Sequence, residues 1–310
     1  MLTIAYIANG KSTNRYHLPF STKLADKINV KTIYSRTHKD EWAPIEGVHY
    51  TTDLDDILQD EEIQLVVVTT PGKMHYDYAK LLLEHGKNAL IEKPFTETAA
   101  QAKELFALAK EKGLFLQCYQ NRRFDSDFLT VQKVIESGVL GDILEVEMHF
   151  DYFRPEIPEN THTHYDVRQL LGAGRMNDYF DLDFNYGGMK VSIKSSYFRL
   201  KERPSFVVYG KKGCFVKATK DRQEEHLKLF PMPENADFGV DLPEHYGTLT
   251  YMDDQGVYHE EKVVSEVGDY SRFYDALYAT IIEGKDKLVK DEETIRQLEI
   301  LETGSQLNQA

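Results

Sequence analysis

The chain has only two cysteines, Cys118 and Cys214, far apart in apolar segments and in no Cys-x-x-Cys pattern. That scarcity excludes a disulfide framework and a cysteine-based metal or redox site, so both thiols read as reduced core residues. No apolar run approaches the ~20 residues that cross a bilayer. The opening residues Met1-Leu2-Thr3-Ile4 enter a strand-like run without the basic, apolar and small-residue segments of a signal peptide. Basic charge is short as well: 37 Lys and Arg face 51 Asp and Glu, a formal charge of −14. This sign repels phosphate backbones, and Lys211, Lys212 and Lys217 are too few to make a basic patch, so nucleic acid is not an expected partner. Tandem repeats and low-complexity stretches are lacking too. The expectation left is a cytoplasmic, non-membrane protein whose 310 residues suffice for two domains.

Strands and helices alternate through the first half. Residues 2–8 are apolar nearly throughout, as buried parallel strands are. They run into Asn9-Gly10-Lys11-Ser12-Thr13 and a helix from about Asn14. A strand, a tight turn and a helix N-terminus together favour an anion, because free N–H groups and the helix dipole face it. The dinucleotide fingerprint Gly-x-Gly-x-x-Gly is poorly kept: Ala8 and Thr13 hold its first and third glycine positions, and only Gly10 remains. Gly10-Lys11-Ser12-Thr13 also matches the end of a P-loop, but that motif needs a glycine at position 5, which is Ala5 inside the strand.

A second strand, residues 30–34, ends in Ser35-Arg36-Thr37. NAD sites place an acid here for the ribose hydroxyls, whereas an arginine accommodates a 2′-phosphate. Ser35, Arg36 and Thr37 therefore favour NADP over NAD. A short strand at 48–50 and a short acidic-fronted helix at 53–58 follow. The strand 63–69 ends in Thr70-Pro71-Gly72-Lys73-Met74-His75, feeding a helix with Tyr78, Leu81 and Leu82 on one face. His75 alone reads as a structural residue at a helix start.

Next comes Gly86-Lys87-Asn88-Ala89-Leu90-Ile91-Glu92-Lys93-Pro94-Phe95. Residues 88–91 form a short buried strand, and Glu92-Lys93 sits where it runs out, the end at which open α/β sheets bind ligands. A lysine there, partly desolvated beside an acid, is a candidate proton donor or acceptor; the plainer reading is a surface ion pair. A helix at 99–112 and a strand at 114–119 complete a right-handed, doubly wound parallel sheet.

Thr70-Pro71-x-x-x-His75, Glu92-Lys93-Pro94-Phe95 and Asn121-Arg122-Arg123-Phe124, in this order and spacing, resemble the glucose–fructose oxidoreductase/inositol dehydrogenase family, most nearly its NADP-dependent scyllo-inositol dehydrogenase-like branch. The resemblance covers almost the whole chain. It implies that Ala8, Asn9, Gly10, Lys11, Ser12 and Thr13 surround the cofactor pyrophosphate and that Ser35 and Arg36 hold the 2′-phosphate. It implies that Thr69, Thr70, Pro71 and His75 line the adenosine and nicotinamide-ribose side, and that Asn121 and Arg122 close the far edge. Glu92 and Lys93 would sit at the nicotinamide, with Lys93 reaching the substrate oxygen and a cis bond between Lys93 and Pro94.

From Gly141 the pattern is strand after strand: 143–153, 165–170, 179–186, 189–198, 205–209, 214–217, 246–252 and 257–264, with tight turns at Gly187-Gly188, Gly210–Gly213 and Asp253-Asp254-Gln255-Gly256. Helices at 270–283 and 291–301 close the chain. The expected class is α/β: a Rossmann-type dinucleotide-binding domain over 1–121, then an α+β domain over 122–310 with a large, mostly antiparallel sheet. That sheet is the expected surface for a homodimer or homotetramer, and the closing helices are expected to return to the first domain. One departure stands out. The family's helix bearing a histidine and an aspartate toward the substrate has no counterpart between Glu159 and the strand that follows. His162 and His164 alternate at a strand start and read as structural. Either that helix is deleted or residues are missing from the numbering, which predicts a chain break near 158–161. The acid/base partner of Lys93 is not nameable from these residues.

The resulting expectation is an NADP-dependent oxidoreductase interconverting a secondary alcohol and a ketone on a sugar or cyclitol, with Lys93 and Glu92 as its catalytic pair and no metal. The alternative is a non-catalytic NADP-binding sensor or regulator, favoured by the weak glycine fingerprint and the missing helix. The intact Glu92-Lys93 pair weighs against it, since cofactor binding alone needs no proton-transfer group there.

Overall fold

A computed structural model describes residues 1–38, 41–152, 179–229 and 231–307, with side chains to 304. The expected strand at 165–170, His162, His164 and the expected break at 158–161 lie outside the described residues. The chain forms two compact units: Met1–Asn121 with Met232–Glu234 and Tyr270–Ile300, and Arg122–Pro231 with Asn235–Asp269 and Leu301–Ala310.

The first unit holds a six-stranded parallel sheet. Its strands are β1 (Leu2–Ile7), β2 (Ile28–Tyr34), β3 (His49–Thr51), β4 (Leu65–Val68), β5 (Asn88–Ile91) and β6 (Leu116–Cys118), in the order β3-β2-β1-β4-β5-β6. The strand order reverses between β1 and β4, and a ligand crevice forms at such a switch point beyond the strand ends. Every residue of β4, and Ala89, Leu90 and Ile91 of β5, is fully buried, which is why these short runs carry no polar alternation.

The helices of this unit follow from local signals. After β1, a π-helical turn over Ser12–His17 leads into α1 (Leu18–Thr22), starting two residues earlier than the sequence suggests. Pro19 has no N–H to continue the α-type ladder, and the wider turn absorbs that gap. Helix α2 (Asp55–Leu58) carries two acids in its first turn. Helix α3 (His75–Glu84) buries His75, Ala79, Leu82 and Leu83, so its inner face is rotated from the expected Tyr78–Leu81–Leu82 stripe. Helix α4 (Ala99–Lys112) starts at a Thr98/Gln101 capping box and ends at Gly113 in the left-handed conformation, φ 66°.

The second unit holds α5 (Ser126–Glu136), which the sequence reading did not anticipate, and a seven-stranded sheet. Its strands are β7 (Ile143–His149), β8 (Tyr179–Tyr186), β9 (Met189–Ser196), β10 (Phe206–Gly210), β11 (Gly213–Lys217), β12 (Gly247–Met252) and β13 (Tyr258–Val263). The order is β13-β12-β11-β10-β7-β9-β8, and only the β7–β9 pair is parallel. Val131 and Val134 of α5 pack with Leu140, Phe206, Val208, Phe215 and Leu249 into one core. A short helix, α6 (Gln223–Leu229), also falls here. Helix α7 (Ser271–Glu283) belongs to the first unit, as does most of α8 (Asp291–Leu307). No described helix is long and apolar enough to cross a membrane, and both cysteines are free thiols.

Candidate active site

The turn after β1 keeps the shape of a glycine loop with other residues in it. Ala8 has φ 108°, a conformation that normally asks for glycine. Thr13, at the third glycine position, is fully buried. Its hydroxyl donates to the Ala8 carbonyl at 2.7 Å and lies 2.7 Å from the Thr69 hydroxyl. Thr13 thus ties the helix to the ends of β1 and β4, the close packing a glycine would otherwise allow. Asn14 braces the loop from the other side, donating to Asn9 Oδ1 at 2.8 Å and to the Gly10 carbonyl at 3.0 Å. A Cβ built on Gly10 would meet nothing within 4 Å, so the loop opens onto free space.

That space is a cavity of about 470 Å³ lined by Ala8, Asn9, Gly10, Lys11, Ser12, Ser35, Arg36, Thr37, Thr69, Thr70 and Pro71, with Ile7, Tyr34, Met74 and Tyr78. A second cavity of about 420 Å³ shares Lys11, Ser12, Thr69, Thr70 and Pro71 with it and adds Tyr16, Gly72, Glu92 and Lys93. Together they form one trough across the carboxyl ends of β2, β1, β4 and β5. The Thr70 hydroxyl is buried in this wall with no hydrogen-bond partner among the described residues, a donor left for something else to use. A further cavity of about 570 Å³ meets the trough at Asn9 and Ser35 and is walled by His38, Trp42, Pro44 and Tyr50. The sequence offered no spacing pattern that would have found it.

Two expected site residues stand behind the wall. Thr13 does so as described, and His75 is buried with Nδ1 2.6 Å from the Pro94 carbonyl and Nε2 2.7 Å from the Thr70 carbonyl. His75 therefore clamps the loop after β4 to the turn after β5. Asn121 is buried at the end of the first unit, its Oδ1 without a partner among the described residues. Arg122 opens the second unit, where its guanidinium pairs with Asp125 at 3.0 Å and with Glu224, and lies 4.5 Å from the Phe150 ring centre.

Glu92 and Lys93 leave β5 together, and the Lys93–Pro94 bond is cis. The Glu92 carboxylate is buried and surrounded by donors: Ser12 Oγ and His17 Nε2 at 3.0 Å on Oε1, and the Lys93 N–H at 2.8 Å on Oε2. Lys93 Nζ lies 3.7 Å from Oε2 with its side chain 49% exposed, a more open position than expected. Burial alone would push the Glu92 carboxyl up. The Lys93 ammonium and the surrounding donors outweigh it and hold the group well below the usual carboxylate range. Ionised Glu92 can therefore fix the lysine while the ammonium stays within reach of a ligand. His17 and the tyrosines behind it were not legible as site residues.

The trough, the open glycine-type loop and the lysine at the strand end thus lie together at the carboxyl edge of the parallel sheet. The NAD-binding Rossmann-fold model of the GFO/IDH/MocA oxidoreductases matches residues 3–120, and the C-terminal alpha/beta domain model of the same family matches 158–307. The chain belongs to this family. Escherichia coli YhhX, described as an uncharacterized oxidoreductase, is 45% identical over 98% of this chain and 96% of its own length. Bacillus subtilis IolW, a scyllo-inositol 2-dehydrogenase (NADP(+)), is 31% identical over 97% and 92%. An oxidoreductase structure from Bacillus cereus superposes with a TM-score of 0.91 at 42% identity, covering 98% of this chain and 95% of its own. The YhhX alignment needs 333 positions against the 310 residues present here, so at least 23 residues of that GFO/IDH/MocA relative have no counterpart in this chain.

Proposed function

We propose that this chain is an NADP-dependent oxidoreductase interconverting a secondary alcohol and a ketone on a sugar or cyclitol, with Lys93 as the proton-transfer group. The observation that carries the reading is the trough itself, in which the loop of Ala8–Thr13, the Ser35-Arg36-Thr37 turn and Lys93 border one continuous space. The residues fit a dinucleotide: the loop is open at Gly10, the Thr70 hydroxyl lacks a partner among the described residues, and a guanidinium rather than an acid follows β2. The bound nicotinamide would supply or accept the hydride. Asn9–Ser12 would hold the pyrophosphate, and Arg36, with Ser35 and Thr37, would hold the 2′-phosphate. In reduction, Lys93 gives a proton to the carbonyl oxygen and recovers one from solvent, which its half-exposed side chain permits. In oxidation the proton moves the other way.

IolW supports the cyclitol class of substrate and the choice of NADP. Residence in the cytoplasm and self-association through the seven-stranded sheet, as a dimer or tetramer, belong to the same reading. Oxidation of NADPH and of NADH, followed with a panel of inososes and ketoses, tests it. Turnover with NADPH on at least one polyol ketone is expected. Cofactor binding without turnover on any of them would favour a regulatory module instead.

A further inference from the structure

Behind Glu92 lies a line of polar groups that proton transfer by Lys93 does not itself need. His17, on the π-helical turn, is fully buried. Its ring packs 4.1 Å from that of Tyr119, centre to centre. Nε2 lies 3.0 Å from Glu92 Oε1, and Nδ1 lies 2.7 Å from the Tyr274 hydroxyl. That hydroxyl is 3.0 Å from the Tyr6 hydroxyl, which reaches Ser21 Oγ at 2.9 Å. Tyr274, Tyr6 and Ser21 are all fully buried, and Tyr274 stands 257 residues from His17 in the chain.

The chemistry of the partners fixes the direction of the two bonds that His17 makes. Burial pushes the His17 imidazole toward its neutral form, with one N–H to give. Ionised Glu92 only accepts, so that N–H belongs on Nε2. Nδ1 is then a bare acceptor and takes the Tyr274 hydroxyl proton. The titratable groups facing His17 are Tyr6 on β1, Tyr119 after β6, Tyr274 on α7, and Glu92 and Lys93 after β5. Burial raises both Tyr6 and Tyr274, which therefore stay protonated hydroxyls. The line ends among buried groups, so it supplies no exit for a proton; its effect is on orientation and charge.

We propose that His17 is a positioning residue of this site: braced by Tyr274 of α7, it donates through Nε2 to Glu92 and keeps that carboxylate ionised and turned toward Lys93. The inference rests on the role proposed for Lys93, and makes a helix near the C-terminal end of the chain a structural support of the dinucleotide-side lysine.

Histidine labelled with ¹⁵N in the full chain reads the arrangement without any substrate. The His17 signals, identified by their loss in His17→Gln, are expected to show the neutral Nε2–H form throughout the pH range above the ordinary imidazole value. An imidazolium or an Nδ1–H form in that window overturns the proposal. The pH profile of NADPH-dependent turnover then reads the role. In His17→Leu, Glu92 loses a donor and takes up a proton at higher pH, so the acidic limb is expected to move up toward the ordinary carboxylate range. His17→Gln, whose amide still donates, is expected to keep the wild-type profile. A His17→Leu profile that is only scaled down, or a Gln variant shifted as far as Leu, overturns the proposal and leaves His17 a packing residue. Absence of turnover in the wild-type chain would contradict the proposed reaction and not the His17 arrangement, which the imidazole signals report alone.

Discussion

Arg36→Asp is expected to reverse cofactor preference. Arg36 lines the trough at the end of β2, in a turn held by a 2.9 Å bond from Ser35 Oγ to the Thr37 carbonyl. A guanidinium–phosphate contact contributes ~1.5–3 kcal/mol. Because Arg36 is exposed to solvent, the lower end applies, about tenfold in affinity. An aspartate in its place repels the 2′-phosphate and offers acceptors to the ribose hydroxyls of NADH, together another ~1.5 kcal/mol. The ratio of the NADH to the NADPH dissociation constant is therefore expected to fall by about 100-fold. Fluorescence titration of each reduced cofactor against both proteins measures it, with no substrate required. An unchanged ratio, or equal weakening of both cofactors, would refute the assignment of Arg36 to the 2′-phosphate.

Ala8→Gly should stabilise the first unit by up to ~1 kcal/mol. It releases the strain of an alanine at φ 108°, less the backbone entropy glycine brings; urea unfolding checks this, and a clear loss of stability would contradict it. Asp221, which accepts from the Ser126 N–H at 2.7 Å and the Gln223 N–H at 2.7 Å, is pushed up to about 6, first by burial and further by the charge of Asp127. Its folded-state affinity for a proton exceeds the unfolded one, so the stability it contributes is present below about pH 4 and lost as pH rises through about 6. Asp221→Asn is expected to gain ~1–2 kcal/mol relative to wild type between pH 4.5 and pH 7.5, and equal unfolding differences at the two pH values would contradict it.

Much of the first unit was legible because buried parallel strands write themselves as short apolar runs. The β5 boundaries and those of α4, with Thr98 before it and Gly113 after it, were readable to the residue. The second sheet was readable from its turns, and Tyr179–Tyr186 needed only the Gly187-Gly188 signal. Helix α5 was not: Thr130, Val131, Val134 and Ile135 are β-branched, and packing against Phe206, Phe215 and Leu249 decides the matter. Helix α6 is short and mostly polar, with no periodic stripe to read. In the site, motifs marked the residues that face the trough and the clamping His75, but not His17 or Tyr274. His17 and Tyr274 lie far apart in sequence and meet only in the fold, and Thr13 looked like a broken glycine motif although its hydroxyl performs the packing.

In the proposed reaction Lys93 moves the proton in a site built by the trough. Lys93→Met tests it most directly: it removes the ammonium and nearly keeps the side-chain volume. Turnover with NADPH is expected to fall by at least ~10²-fold, while NADPH still binds within about threefold of wild type. Turnover retained at the wild-type rate, with the cofactor bound, would contradict the account.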